Sequence, residues 1–379
     1  MRLVANLRAV QAVAGASVET LAVVKANGYG HDAALAARLL VDAGVRWLGV
    51  SDVEEGARVR TEVGAEPRVL VMCGMEVADC REIIERGLTP VVWTVEHVAA
   101  MEAAAERVGT RVKVHLEIDT GMTRQGVDLD GVVKLTERLA EAKFVVCEGV
   151  MSHLSSAEDV GSRVTFEQRE RFGRALEVVV RKGLRPEWVH LGNTSAVDEG
   201  STMQWVRERA ERMGARAMVR SGLGLYGHCL PLDTGCVGSL AGRVEPVLTW
   251  KTRVIGVREI QAGATVGYGA TFSAKSMMRL GLLPVGYADG FRREGSSGMG
   301  NGWVRIAGRK AAVVGRVSMN LTVVDVTEIA GVAVGDEVLL LGEGVTAEDH
   351  ARWSGTISYD ILCGIRAKFR VVPWLVRAD

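Results

Sequence analysis

The sequence predicts a parallel (β/α)8 barrel of the TIM type followed by a mostly β C-terminal domain. Three observations carry this. Eight short, β-branched, continuously apolar runs recur up to about Leu240; the segments between them have helical period; and beyond Leu240 short apolar runs follow closely, divided by turn residues. Continuous rather than alternating apolar character marks strands covered on both faces. A doubly wound sheet gives the same alternation with fewer strands, so the count favours the barrel.

Met1 to Val13 reads as a helix with Leu3, Val4, Leu7, Val10 and Val13 on one face. The eight strand-like runs are Leu21–Val24, Trp47–Val50, Val69–Met72, Pro90–Trp93, Val112–Ile118, Val145–Met151, Trp188–Leu191 and Met218–Val219. Amphipathic segments at Ala33–Val41, Val53–Val63, Val95–Val108, Val132–Ala142 and Phe166–Lys182 supply helices between them, and Ser51 and Glu54 have the spacing of a capping box. At 379 residues the chain exceeds one ordinary core, and the change of texture divides it into a barrel domain, 1–240, and a β-rich domain, 241–379.

In the second domain the strand-like runs are Val244–Trp250, Thr252–Ile260, Leu280–Val285, Trp303–Ile306, Ala311–Val317, Leu321–Val326 and Glu337–Leu341. Thr346–Trp353 is the one expected helix, with Thr346 and Asp349 as its capping box, and Glu294–Gly302, rich in Gly and Ser, reads as a flexible loop.

Hydrophobic residues make up 48% and charged residues 24%, a soluble globular balance. The 46 Lys and Arg equal the 46 Asp and Glu, so charge gives no reason to expect nucleic acid or an anionic membrane as a partner. No apolar run approaches a membrane span and the N-terminus lacks a signal-peptide core, so the expected location is cytoplasmic. Six cysteines without a CxxC pair predict reduced, mostly core thiols and no metal framework.

Polar chemistry collects at the carboxyl ends of the strand-like runs, where barrel enzymes build their active sites. Lys25 ends the first run, ahead of the sharp turn set by Asn27-Gly28 and Gly30. Alone it would be a solvated loop lysine. The fifth run ends in Glu117 to Arg124, the sixth in Ser152-His153, the seventh in His190 to Ser195 and the eighth in Arg220 to Gly224. Thr194 and the glycine amides around Gly222 suit a phosphate bound by neutral donors. Gly222 to Gly227 formally matches G-x-G-x-x-G, but His228-Cys229-Leu230-Pro231 does not continue as the helix a dinucleotide site requires. A phosphate site opposite a strand-end lysine is the layout for pyridoxal 5'-phosphate (PLP) held covalently on that lysine, with His153 flat on the ring and Arg220 at its nitrogen. Singly, His153 reads as a structural histidine and Arg220 as an ion-pair partner; their joint placement reverses those readings.

Val24 to His31, Asp119 to Arg124, His190 to Ser195, Gly267-Tyr268-Gly269-Ala270-Thr271-Phe272, Gly315 to Asn320 and Ile357 to Asp360 closely resemble, in order and spacing, the alanine racemases, over nearly the whole chain. The resemblance implies interconversion of L- and D-alanine, supplying D-alanine for peptidoglycan, by a homodimer whose barrels meet the partner's β domains. It implies that Lys25 holds PLP; that Tyr29, Thr194, Gly222, Leu223 and Tyr359 bind its phosphate; and that His153 and Arg220 contact its ring. Arg124, Met319 and Asn320 would place the substrate, and Tyr268 would act from the partner subunit as a second base. Two bases on opposite faces suit a reaction that removes a proton from one side and returns it on the other. An arginine at the ring nitrogen discourages ring protonation and with it transamination.

The chain departs from the family pattern in three places. Met1 already lies in a helix that many relatives precede with a strand. Asn320 stands where aspartate is usual, which opens the alternative of a serine or broad-specificity racemase. Glu117 stands where many relatives have a carbamylated lysine and would supply that negative charge directly to Arg124. The lysine motif alone is shared with related decarboxylases and with single-barrel PLP-homeostasis proteins; the β domain carrying Tyr268 and Met319 weighs against the latter.

Overall fold

The computed structural model describes residues 1–233 and 235–366, which form two compact units, Met1–Glu245 and a second beginning at Pro246. The first is a closed barrel of β1 (Val18–Val23), β2 (Trp47–Val50), β3 (Arg68–Val71), β4 (Thr89–Val92), β5 (Val112–Glu117), β6 (Val145–Met151), β7 (Trp188–His190) and β8 (Arg216–Ser221). All neighbours are parallel, and β8 closes onto β1 with Leu21 opposite Arg220 and Ala22 opposite Ser221. The eighth strand is longer than its apolar pair predicts, because Arg216, Arg220 and Ser221 interrupt the pattern without interrupting the ladder.

The five predicted connecting helices form at Ala33–Asp42, Val53–Val63, Val95–Val108, Val132–Glu141 and Arg163–Arg181. Asp52, not Ser51, caps the second, its carboxylate accepting from the Glu55 amide at 2.8 Å. Ser51 instead donates from its hydroxyl (2.5 Å) and amide (3.0 Å) to the Glu55 carboxylate, so the capping frame lies one residue later than predicted. The structure adds a short helix at Cys80–Glu85 and a pair, Thr194–Glu199 and Ser201–Arg212, between β7 and β8.

After β8 the chain makes a 3-10 turn at Leu223–Tyr226, and the N-terminal helix Arg2–Ala14 packs on it. The buried face of that helix is Leu3, Asn6, Leu7, Val10 and Ala14, so a polar residue sits where Val4 and Val13 were expected. Asn6 belongs there because its amide donates to the carbonyls of Leu225 (3.0 Å) and Glu245 (2.8 Å), which satisfies it and ties down the end of the unit.

The second unit has β9 (Trp250–Arg253), β10 (Gly256–Ile260), β11 (Thr265–Val266), β12 (Phe272–Ser273), β13 (Met278–Leu283), β14 (Trp303–Ile306), β15 (Arg309–Ala312), β16 (Thr322–Asp325) and β17 (Glu337–Leu341). They pair antiparallel as β10-β13-β16, β11-β12 and β15-β14-β17-β9. The expected strand Val244–Trp250 is absent before Trp250, and Thr252–Ile260 divides into β9 and β10. The Ala347–Ser354 helix has the predicted capping box, Thr346 Oγ1 accepting from the Asp349 amide (3.1 Å) and Asp349 from the Thr346 amide (2.9 Å). A second helix, Ser358–Gly364, was not expected there.

The Glu294–Gly302 stretch is a pinned turn rather than a flexible loop. Ser296 is buried and accepts from the Val317 amide at 3.0 Å, while the Gly300 and Gly302 amides donate to Glu294 (2.7 Å) and Gly295 (2.9 Å). Of the six cysteines only Cys80 and Cys147 are buried; Cys73, Cys236 and Cys363 are exposed, contrary to the expectation of mostly core thiols. No described helix is long and apolar enough to cross a membrane.

Candidate active site

Lys25 stands one residue, Val24, beyond the buried end of β1 and opens a tight left-handed turn. Ala26, Asn27, Gly28 and Tyr29 have φ of 53°, 53°, 64° and 52°, a conformation that costs a non-glycine residue about 1–2 kcal/mol. Four hydrogen bonds hold it. Gly28 donates to Val24 (2.8 Å), Gly30 to Ala26 (3.1 Å), the Asn27 amide to Glu55 (3.3 Å) and the Ala33 amide to the Asn27 side chain (3.1 Å). The turn therefore presents Lys25 above the barrel and folds Tyr29 inward, where its ring lies 5.2 Å from that of Tyr226.

Next to β1, the end of β8 supplies Gly222 and Leu223, and the end of β7 supplies Thr194. Thr194 is buried, and its hydroxyl accepts from the Gly222 and Gly224 amides, both at 3.3 Å. Gly222 has room for no side chain: a Cβ there would stand 2.3 Å from the Tyr29 hydroxyl oxygen. The Tyr29 hydroxyl, the Thr194 hydroxyl and backbone amides thus meet at one rim as neutral donors. This set, beside a lysine, fits PLP.

Arg220, buried near the end of β8, donates to the Ser152 carbonyl (2.8 Å), to His153 Nδ1 (3.0 Å) and to His190 Nδ1 (3.1 Å). Burial is the main influence lowering its pKa to about 10, which leaves it cationic at neutral pH. Burial and then the nearby cations Arg220, Arg124 and Lys25 push the His153 pKa down to about 3, so its imidazole is neutral.

Glu117, Asp119, Met122, Arg124, Ser152 and His153 line one narrow crevice, too tight to admit a water molecule. Asp119 shapes its rim by accepting from the amides of Gly121 (2.8 Å), Met122 (3.0 Å) and Thr123 (3.1 Å), which carries the chain to the exposed Arg124. Glu117 does not reach Arg124 as expected: among the described residues its hydrogen-bond partner is the Gln125 amide, and Gln125 is in turn held by the Met72 carbonyl at 2.7 Å. Burial raises the Glu117 pKa, opposed first by Arg220 and then by Gln125 and Arg124. Its charge is directed more to Arg220 than to Arg124.

The remaining residues of interest lie on the second unit. Tyr268 is 70% exposed on a 3-10 turn between β11 and β12, flanked by Gly267 and Gly269 at φ of 76° and 72°. Those glycines pack on Arg316, whose backbone nitrogen would be 3.1 Å from a Cβ at Gly267. Met319 and Asn320 are exposed, the Asn320 amide donating to Asp289 at 3.3 Å, and Tyr359 lies in the helix Ser358–Gly364. Among the described residues, no cluster of three or more His, Cys, Asp or Glu could hold a metal.

Sequence reasoning assigned no role to His115, Glu148 or Gln125. The signal was present: Val112–Ile118 and Val145–Met151 are apolar runs broken by His115 and Glu148, and charged or titratable residues inside a barrel strand face other such residues.

The alanine racemase N-terminal domain model matches residues 1–229, and the alanine racemase C-terminal domain model matches 247–372. The alanine racemase of Symbiobacterium thermophilum is 36% identical over 95% of this chain and 92% of its own length. Alanine racemase 2 of Caldanaerobacter subterraneus is 33% identical over 96% and 90%. Among solved structures, the alanine racemase of Streptomyces lavendulae superposes with a TM-score of 0.87 at 31% identity, covering 96% of this chain and 92% of that one. The alanine racemase of Bartonella henselae with covalently bound pyridoxal phosphate gives 0.83 at 25% identity, covering 96% and 94%.

Proposed function

Given that the chain belongs to the alanine racemase family, we propose that it interconverts L- and D-alanine with PLP, using Lys25 and Tyr268 as bases on opposite faces of the substrate. The observation that carries this reading is the gathering of Lys25, His153, Thr194 and Arg220 at one end of the barrel, with Tyr29 folded against Gly222. When bound, PLP acidifies the α-carbon of an amino acid joined to it.

The chain's own residues do the rest. Lys25 holds the cofactor, and its amine takes or returns the proton on the face presented by D-alanine. Tyr29, Thr194, Gly222, Leu223 and Tyr359 bind the phosphate and so fix the ring above the barrel. His153 would pack against the cofactor ring. It is neutral and, because Nδ1 accepts from Arg220, it carries its proton on Nε2. Arg220, as a cationic donor, would hold the ring nitrogen and keep a proton off it. Arg124, Met319 and Asn320 place the substrate.

Tyr268 serves as the second base from the partner subunit of a homodimer, a reading supported by its exposure on a glycine-flanked turn. In this reading 1–240 is the cofactor-binding domain, 241–379 completes the partner's site, the enzyme is cytoplasmic, and its D-alanine feeds peptidoglycan. Asn320, which holds no charge of its own and bonds Asp289, supports a second substrate reading in which serine is also accepted. Loss of optical activity from L-alanine and from L-serine, followed with the purified protein and added PLP, tests both. Turnover of neither substrate overturns the proposal, and a higher kcat/KM for L-serine selects the second reading.

A further inference from the structure

A file of buried polar side chains runs down through the barrel from Arg220. His190 Nδ1 lies 3.1 Å from the Arg220 guanidinium, and His190 Nε2 lies 2.9 Å from His115 Nδ1. His115 Nε2 has no hydrogen-bond partner among the described residues; it points toward Glu148 Oε2, 3.8 Å away. Glu148 Oε1 accepts from Arg68 at 2.8 Å and Lys113 at 2.6 Å, Oε2 accepts from the second Arg68 nitrogen at 2.5 Å, and Arg68 also packs over the Trp47 ring.

Two local features show that this file is built in. The β5–β6 ladder pairs Val114 with Cys147 and His115 with Gly149, so Glu148 is an extra, bulged residue, and a bulge re-aims a side chain. Gly149 leaves space for the His115 ring, since a Cβ there would stand 2.6 Å from it.

The hydrogen-bond polarity has one solution. A guanidinium only donates, so His190 Nδ1 accepts and the His190 proton sits on Nε2. That proton is donated to His115 Nδ1, which leaves the His115 proton on Nε2, facing a carboxylate that only accepts. The cation at one end and the anion at the other thus demand the same tautomer in both rings. We propose that Glu148 is a positioning residue: by holding the His115 proton on Nε2 it keeps His190 Nδ1 free to accept from Arg220, and so aims the guanidinium. The effect on turnover rests on the racemase reading above; the tautomers do not.

Glu148→Gln tests this. Donors from both Arg68 and Lys113 face the Oε1 position, against one Arg68 nitrogen at Oε2, so the amide oxygen takes the Oε1 position; the NH2 group then turns toward His115 and drives both rings to the opposite tautomer, with a donor facing Arg220. The readout is 15N NMR of the PLP-loaded protein labelled at its seven histidines, with His115 and His190 assigned from His115→Asn and His190→Asn. Wild type is expected to show both rings protonated on Nε2. Glu148→Gln is expected to show both protonated on Nδ1, with kcat about tenfold lower and KM for alanine within about twofold. Arg68→Gln, which removes a cation but leaves the carboxylate facing His115, is expected to lower the melting temperature and leave the tautomers in place. A wild-type His190 protonated on Nδ1, or unchanged tautomers in Glu148→Gln, would overturn the proposal. Inverted tautomers with unchanged kcat would overturn the positioning role. Absence of racemase turnover in wild type would count against the racemase reading alone.

Discussion

Arg220 donates a 3.0 Å hydrogen bond to Nδ1 of His153, joining the ends of β8 and β6. The bond leaves His153 with one proton, on Nε2, and sets a cation against a neutral ring at the place where PLP is proposed to lie. It also leaves Arg220 without a direct ion-pair partner among the described residues, so the nearby buried carboxylate of Glu117 is its main electrostatic compensation.

That compensation yields the first prediction. Glu117→Gln keeps the shape of the side chain and removes its charge from a buried setting, where a lost counter-charge is felt strongly. A decrease in kcat/KM of about tenfold is expected, together with wild-type activity indifferent to added bicarbonate. Steady-state assays with and without bicarbonate check this; bicarbonate-dependent wild-type activity would count against a built-in charge.

Gly222→Ala is expected to weaken PLP binding about tenfold. The glycine has an ordinary φ of −118°, so the penalty is steric and comes from the new Cβ against Tyr29, 2.3 Å from its hydroxyl oxygen. Titration of cofactor-free protein, followed by fluorescence, measures it. Unchanged affinity would show that Tyr29 moves aside without consequence.

Stability should fall in mild acid. The pKa values of His31 and His350 are pushed down to about 4 and that of His153 to about 3, burial being the leading cause in each. A base whose folded pKa is depressed contributes stability that is fully present above its unfolded pKa and lost as pH falls toward the folded value. Each such histidine gives a slope approaching about 1.4 kcal/mol per pH unit in that window. The melting temperature is therefore expected to drop between about pH 6.5 and 5, where exposed carboxylates remain ionised. A midpoint constant over that interval would contradict the neutral, buried state of these rings.

The barrel was legible because parallel strands covered on both faces write continuous apolar runs such as Trp47–Val50 and Val69–Val71. The apolar pattern covers only part of β8 because the strand also buries Arg220 and Ser221, against that pattern. The second unit was read less well: strands of two residues, β11 and β12, leave no periodicity, and the Ser358–Gly364 helix is too short to show one. At the site, residues at strand ends were legible from the rule that places barrel chemistry there. His115 and Glu148 were not, since their role depends on a bulge in register that spacing along one strand does not reveal. Arg124 is close to Glu117 in sequence, whereas the influence of Arg220 on that carboxylate comes from a strand remote in sequence and is visible only in the folded barrel.

The two-base assignment is tested most directly by α-proton exchange in deuterium oxide, starting from each alanine enantiomer, with wild type, Lys25→Ala and Tyr268→Phe. Wild type should exchange both, and Lys25→Ala should lose exchange from D-alanine. Tyr268→Phe should retain exchange from D-alanine and lose that from L-alanine by about a hundredfold or more. Exchange of L-alanine at the wild-type rate in Tyr268→Phe would contradict the assignment.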